Sequence, residues 1–271
     1  MRTFISGLLT LIAMAAIVIA VPSVWTKERI VDPEGFATLA TQLAADTEVK
    51  DSLAAEVSAA VETQTGVPIA GQVAESATRA YMNTPQYEAD FADVLAQQHA
   101  WLFDPPPAGG DTSVMQLDIT AMVNRVIAQT GIAAQVNGPI LVPINSGGRS
   151  GLEAGRYHEV GQQITTLAFA TLAIAIVAGL LALLIARRRG TVVAWLGVGL
   201  VLAAAFAWVV GLYFSYRGKQ EVDGTDESGR KVSELMINAA VGDLHHVAMI
   251  VAAVGVVVIL LGVLVRLFAR H

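Results

Sequence analysis

Four long apolar segments constrain this chain more than any other feature of its sequence. They cover residues 4–24, 164–186, 192–214 and 247–265, and none of them contains Asp, Glu, Lys or Arg. About 20 apolar residues, at a helical rise of about 1.5 Å each, cross a hydrocarbon core about 30 Å thick. The mean hydropathy of the whole chain, +0.57, is also too high for an ordinary soluble domain. We therefore predict a membrane protein with four transmembrane helices.

The charged residues are divided unevenly among the segments that connect these spans. Six of the 17 Lys and Arg lie in three short segments without any acidic residue: Arg2, Arg187, Arg188, Arg189, Arg266 and Arg270. Residues 25–162 instead carry 7 basic and 17 acidic residues, and residues 215–243 carry 4 and 6. Lys and Arg in short loops mark the cytoplasmic side. We therefore predict a multi-pass plasma-membrane protein with both termini in the cytoplasm and residues 25–162 outside it.

The first apolar segment has features of both a retained anchor and a cleavable signal peptide. Arg2 precedes it, and Val18-Ile19-Ala20 stands before Val21 in the manner of a cleavage site. The apolar stretch is long for a signal peptide, which favours a retained anchor. Residues 25–162 lie on the same side of the membrane in either case.

Residues 25–150 have the pattern of a compact, mostly helical extracytoplasmic domain. Asp32-Pro33 and Thr84-Pro85 each place a capping residue before a proline, which favours the start of a helix. The stretch 104–111 is rich in proline and glycine and predicts a loop. Two short extended segments, 115–118 and 139–144, could pair as strands. The predicted fold is therefore an all-α membrane protein with at most two short strands.

A capping-box pattern stands between this domain and the second span. Ser150 and Glu153 are three residues apart, as such a cap requires. No helix breaker follows, so we predict one helix from Ser150 to about Arg187, roughly 55 Å long. Such a helix would join the domain rigidly to the membrane bundle.

The predicted organisation follows from these boundaries. It comprises a first transmembrane helix (1–24), an extracytoplasmic helical domain (25–150), a long helix with the second span (151–187), a third span (188–214), an extracytoplasmic loop (215–243), and a fourth span with a cytoplasmic tail (244–271). Glycines within the spans, Gly197, Gly199, Gly255 and Gly262, predict close helix packing within the bundle or against a partner.

Several short motifs follow one another in a characteristic order. An alanine-rich helical domain contains Leu117-Asp118-Ile119-Thr120 and then Ile140-Leu141-Val142-Pro143-Ile144, and the second span ends in Ala186-Arg187-Arg188-Arg189-Gly190. In this architecture the chain resembles uncharacterised four-span integral membrane proteins of actinobacteria with an N-terminal helical extracytoplasmic domain. The resemblance extends over most of the chain and implies no catalytic residue or cofactor. The resemblance suggests the context of small accessory subunits of envelope and respiratory complexes.

Few residues have the types and spacing that chemistry requires. The absence of cysteine excludes disulfides, thiol nucleophiles and cysteine-bound metals. The spans lack the buried acids of pumps and transporters, and the net charge of −10 over residues 25–162 (7 basic, 17 acidic) argues against nucleic-acid binding. His158, His245 and His246 flank the second and fourth spans, where imidazoles with a carboxylate could bind zinc or copper. Histidines near helix ends at a membrane interface are also common without a metal.

The sequence thus favours a non-catalytic accessory or scaffold subunit of an envelope or respiratory membrane complex. We expect no cofactor, and as partners membrane lipids and either another membrane protein or a second copy of the chain. The first alternative is an extracytoplasmic protein that handles lipids or small ligands. The second is a metal-binding membrane enzyme built on the three histidines.

Overall fold

The computed structural model describes residues 2–51, 54, 71–106, 112, 114–131, 135–136, 138–145, 153–222 and 227–268. Over these residues the chain is an all-α membrane protein with one short hairpin, which confirms the predicted fold class. In chain order the elements are α1 (Arg2–Thr26), a π-helical extension (Lys27–Val31), α2 (Pro33–Ala45), α3 (Gly71–Met82), α4 (Pro85–Phe103), β1 (Val114–Asp118), α5 (Thr120–Gln129), β2 (Leu141–Asn145), α6 (His158–Ile185), α7 (Arg189–Val222) and α8 (Glu227–Phe268).

The chain divides into two compact units. We call the first the membrane unit; it comprises Met1–Val31, Val160–Arg217 and Ala240–His271. The second, the helical domain, comprises Asp32–Glu159 and Gly218–Ala239. The helices α1, α6, α7 and α8 are each long and apolar enough to cross a membrane, as the four apolar segments predict.

The described part of the helical domain includes two helix pairs and the hairpin. α2 packs against α4, and α3 packs against α5. α2 and α4 begin at Pro33 and Pro85, which confirms both predicted helix starts. The core contains large apolar and aromatic side chains, among them Tyr81, Tyr87 and Ile127 with less than 2% of their surface exposed. Burial of such side chains against facing helices stabilises a domain that has no disulfide.

The hairpin is held by side chains at its base. β1 and β2 are antiparallel, with Leu117 opposite Val142. The Asp118 carboxylate accepts hydrogen bonds from both the hydroxyl and the backbone N–H of Thr120, and these hold the pKa of Asp118 below its usual range. The Thr120 hydroxyl oxygen also accepts from the N–H of Ile140 at 2.8 Å. The loop after β1 is thereby fixed to the start of α5 and to the chain entering β2.

The predicted continuous helix from Ser150 is wrong over the described residues. Residues 154–157 form turns and α6 begins at His158; Ser150 lies outside the described residues, and Glu153 is not helical. Gly155 has a φ of 72°, a left-handed conformation that interrupts a right-handed helix. A Cβ at Gly155 would lie 2.5 Å from Cδ of Pro106, so the position also requires glycine for space.

The turn before α6 caps the C-terminus of α4. The last carbonyls of a helix have no partner within it. Here three of them accept hydrogen bonds from the turn: Trp101 from the N–H of Gly155 at 2.8 Å, Leu102 from the N–H of Tyr157 at 3.0 Å, and Phe103 from Nδ1 of His158 at 2.8 Å. These donors are more than 50 residues away from their acceptors, so a local pattern around Ser150 does not reveal them.

The predicted loop 215–243 is also wrong for the residues that the structure describes. α7 continues to Val222 and α8 begins at Glu227, and residues 223–226 lie outside the described part. Hydropathy marks where a helix becomes polar, whereas only a breaker or a cap marks where it ends. No proline occurs in 215–243, and both helices extend beyond their apolar segments.

Candidate functional site

The interior of the membrane unit is built from small side chains, while its large apolar side chains lie on the surface. The buried residues of α6 are Gly161, Ala168, Thr171, Ala175, Ala178, Gly179 and Ala182. On the same helix Leu180 and Leu184 have 57% and 71% of their surface exposed. Helices in lipid gain little from burying apolar side chains against each other, and small residues let their backbones approach closely. The unit therefore has a dense interior and an apolar surface.

A close helix contact in this interior joins α7 and α8 through glycines. A Cβ on Gly197 would lie 2.7 Å from the carbonyl oxygen of Gly255, and one on Gly190 would lie 2.6 Å from that of Gly262. The predicted close packing at Gly197, Gly255 and Gly262 is thus confirmed, and its partner is within the bundle. The prediction from the sequence did not include Gly190. Gly190 and Gly197 are seven residues apart, which is also the spacing of Gly255 and Gly262.

A polar cluster joins the extension of α1 to α8. The indole N–H of Trp25 donates to the Asp243 carboxylate at 2.7 Å, and Nε of Arg29 lies 3.2 Å from the same oxygen. Trp25 is buried in an apolar cluster with Ala204, Leu244 and neighbouring residues of α7 and α8. The cluster places one ion pair and one hydrogen bond on a single carboxylate oxygen. The sequence reading did not identify it, because its members are more than 200 residues apart.

Two of the predicted metal-ligand histidines lie on α8 in the membrane unit. The ring of His245 stacks on that of Trp208 with centroids 4.0 Å apart, and its buried Nε2 has no hydrogen-bond partner. A Cβ on Gly211 would lie 2.7 Å from this nitrogen, so glycine provides the space for the imidazole. His246, the next residue, is exposed.

The third predicted ligand, His158, lies in the helical domain. Its Nδ1 contacts the Phe103 carbonyl, which gives the side chain a capping role on α4. Among the described residues no group of three or more His, Asp or Glu side chains is arranged to hold a metal ion.

A second polar cluster lies within the helical domain. One oxygen of Asp90 accepts from the Tyr81 hydroxyl at 2.6 Å and lies 2.6 Å from Nε of Arg125. Burial, together with the hydrogen bond to Asp90, raises the pKa of Tyr81 far above its usual value. The Tyr81 hydroxyl is therefore a fixed donor at ordinary pH. A cavity of about 250 Å³ adjoins this cluster, lined by Tyr81, Thr84, Gln86, Arg125, Ala128 and Gln129.

Tyr87 lies beside this cluster in the domain core. Its ring meets that of Tyr81 edge-on, with centroids 5.6 Å apart. Its hydroxyl is buried without a hydrogen-bond partner, and burial raises its pKa well above the usual value. The hydroxyl is thus neutral at ordinary pH. It does not line the cavity.

The arginines that the sequence marks as topology determinants gather at one end of the membrane unit. Arg2 begins α1, Arg187 and Arg188 join α6 to α7, Arg189 begins α7, and Arg266 is in the last turn of α8; Arg270 lies outside the described residues. The Ser6 hydroxyl donates to the Ala182 carbonyl at 3.2 Å, which places the start of α1 beside the end of α6. We call these five exposed residues, Arg2, Arg187, Arg188, Arg189 and Arg266, the arginine end.

The fold and these clusters define a four-span helical membrane protein with an additional helical domain. The chain matches no family model, and no curated protein or solved structure is significantly similar to it.

Proposed function

We propose that the protein is a non-catalytic accessory or scaffold subunit of an envelope or respiratory membrane complex, acting through protein–protein contact. The observation that carries this proposal is the distribution of side-chain size in the membrane unit. Small residues such as Ala175 and Ala182 fill its interior, and large residues such as Leu180 and Leu184 lie on its surface. We therefore expect such a unit to act through contacts that its surface residues make.

The helix α8 is the part of this surface that best suits a partner. In the most apolar 18-residue stretch of α8, only 17% of the residues are buried. In the corresponding stretches of the other three spans, 33% are buried. The α8 helix contacts its own bundle mainly along the glycine face, through Gly255 and Gly262. Away from these glycines it carries Val256 and Leu260, which are 50% and 58% exposed. We assign this face to a transmembrane helix of the partner protein.

We further propose that the arginine end faces the cytoplasm and that the helical domain lies outside it. The support is the charge distribution. The membrane unit contains only two acidic residues, Glu28 and Asp243, and the five arginines of the arginine end stand far from both in sequence. Basic residues concentrated at one end of a bundle favour retention of that end in the cytoplasm.

The test compares two matched pairs of tryptophan substitutions on the full chain. Val256→Trp/Leu260→Trp changes the exposed face of α8, and Leu180→Trp/Leu184→Trp makes an equivalent change on α6. Affinity purification in mild detergent should recover a partner in constant ratio to the chain. The α8 pair should lose it, and the α6 pair should retain it. A chain that runs alone as a monomer and forms no crosslink in native membranes would refute the scaffold proposal.

The cavity beside Tyr81 and Arg125 supports a second proposal, binding of a small ligand by the helical domain. Its volume of about 250 Å³ is below the roughly 300–1,000 Å³ typical of pockets for drug-sized ligands. It therefore suits a small molecule better than a long acyl chain. Native mass spectrometry of the full chain, with Arg125→Gln as the comparison, should reveal a bound mass that the variant lacks. Identical spectra would exclude this proposal.

A further inference from the structure

We propose that the arginine end is a binding site for the headgroups of anionic phospholipids. The packing of the helices gathers the five guanidinium groups from four parts of the chain. The Ser6–Ala182 hydrogen bond aligns the start of α1 with the end of α6. A Cβ on Gly190 would lie 2.8 Å from the backbone nitrogen of Arg266, so the end of α8 touches the start of α7.

The five arginines have no carboxylate partner among the described residues. The only acidic residues of the membrane unit, Glu28 and Asp243, are already in ion pairs with Lys27 and Arg29. Asp243 is 23 residues before Arg266 on α8, which corresponds to about 35 Å along the helix. That distance is several times the screening length of about 8 Å at physiological salt. Among the described residues of the unit, no carboxylate therefore neutralises the positive charge of the arginine end.

The neighbouring side chains place these charges at a membrane interface. Phe4 and Phe268 are both 77% exposed and lie within two residues of Arg2 and Arg266 in sequence. These phenyl rings are wholly apolar and suit the edge of the hydrocarbon, while the long arginine side chains beside them can reach the headgroups. Leu184, which is 71% exposed, precedes Arg187 and offers an apolar surface next to the charges.

A phospholipid can contact both the arginines and the apolar side chains next to them. A guanidinium group binds phosphate through paired N–H donors in a planar fork. The exposed leucines and phenylalanines next to it pack against acyl chains, which free phosphate does not have. Basic clusters between transmembrane helices bind anionic headgroups by the same physics. The occupant is therefore a phospholipid with net negative charge, such as phosphatidylglycerol or cardiolipin.

The test measures lipid binding to the delipidated full chain in detergent by native mass spectrometry. Phosphatidylglycerol should bind on the order of tenfold more tightly than phosphatidylcholine, since its net negative charge is attracted by the arginines. Binding should weaken as salt is raised. Equal binding of the two lipids would overturn the proposal. Binding of glycerol phosphate as tight as that of phosphatidylglycerol would also overturn it, since the site would then recognise phosphate without the lipid.

Two matched variants locate the site. Arg188→Gln/Arg189→Gln removes two charges from the arginine end, and Arg217→Gln/Lys219→Gln removes two exposed charges near the other end of α7. The first should lose most of the preference for phosphatidylglycerol, and the second should keep it. Arg188→Lys/Arg189→Lys, which retains the charge, should keep most of it and shows that the positions tolerate substitution. Equal losses in both glutamine pairs would overturn the assignment to this end.

Discussion

At the scale of single residues, glycines set how closely α7 and α8 approach, because a Cβ on Gly197 or Gly255 would overlap the facing backbone. Gly197→Ala and Gly255→Ala should each lower the stability of the full chain in detergent by about 1–3 kcal/mol, the usual range for overpacking. Thermal unfolding followed by circular dichroism measures this change. Gly7→Ala is the control, since a Cβ at Gly7 meets nothing within 4 Å. An equal loss in the control would contradict the packing argument.

The hydrogen bond between Trp25 and Asp243 is a second test at this scale. Trp25→Phe keeps an aromatic ring but removes the N–H donor, and should cost about 1.5–3 kcal/mol, as for bonds to a charged acceptor. Trp195→Phe is the control, because Trp195 is 53% exposed. The same thermal unfolding assay compares the two. If Trp25→Phe lowers the stability no more than Trp195→Phe does, the hydrogen bond contributes little.

At the scale of elements, the turn before α6 holds the end of α4. Gly155→Ala should destabilise this contact, since it combines a left-handed φ with a Cβ 2.5 Å from Pro106. Gly131→Ala shares the left-handed φ of 74° but meets nothing within 4 Å, so it isolates the backbone strain of about 1–2 kcal/mol. Hydrogen exchange of peptides over 95–103 should rise more for Gly155→Ala. Equal rises would show that the crowding has no effect.

The base of the hairpin should depend on pH. The pKa of Asp118 is lower in the folded chain than in an unfolded one. Its ionised carboxylate therefore contributes stability above the unfolded value of about 3.9, and the contribution is lost as pH falls through the folded pKa. Asp118→Ala should increase hydrogen exchange over residues 114–129 at neutral pH, and the difference should shrink under acidic conditions. A difference that does not vary with pH would contradict this role.

The elements that the sequence predicted well are those with local signals. Charge-free apolar segments predicted the four spans, and Pro33 and Pro85 predicted two helix starts. The start of α6 was mispredicted, because Gly155 and His158 are fixed by carbonyls of α4 more than 50 residues away. The polar cluster around Asp243 was missed for the same reason, and the one around Asp90 was missed because its members come from three different helices. Contacts between distant residues leave no periodic pattern in a single sequence.

At the scale of the whole molecule, the membrane unit has an interior of mostly small side chains, and we propose that its contacts with other molecules are made on its surface. The acidic residues of the four candidate spans lie near the polar ends of α1, α6 and α8: Glu28, Glu159, Glu234 and Asp243. The arginine end would hold anionic lipid, and α8 would hold a partner helix. These two surfaces consist of different residues, so a substitution that abolishes binding at one should leave binding at the other unchanged. Lipid binding by the α8 tryptophan pair should therefore equal that of the unchanged chain.

Site-specific photocrosslinking in native membranes tests the central claim most directly. A photoreactive amino acid at Leu260 lies on the exposed face of α8, and one at Leu180 lies on the exposed face of α6. The account predicts one protein adduct of constant mass at Leu260, from a partner subunit or a second copy, and lipid adducts at Leu180. Lipid adducts alone at both positions, with no protein adduct, would contradict the scaffold function.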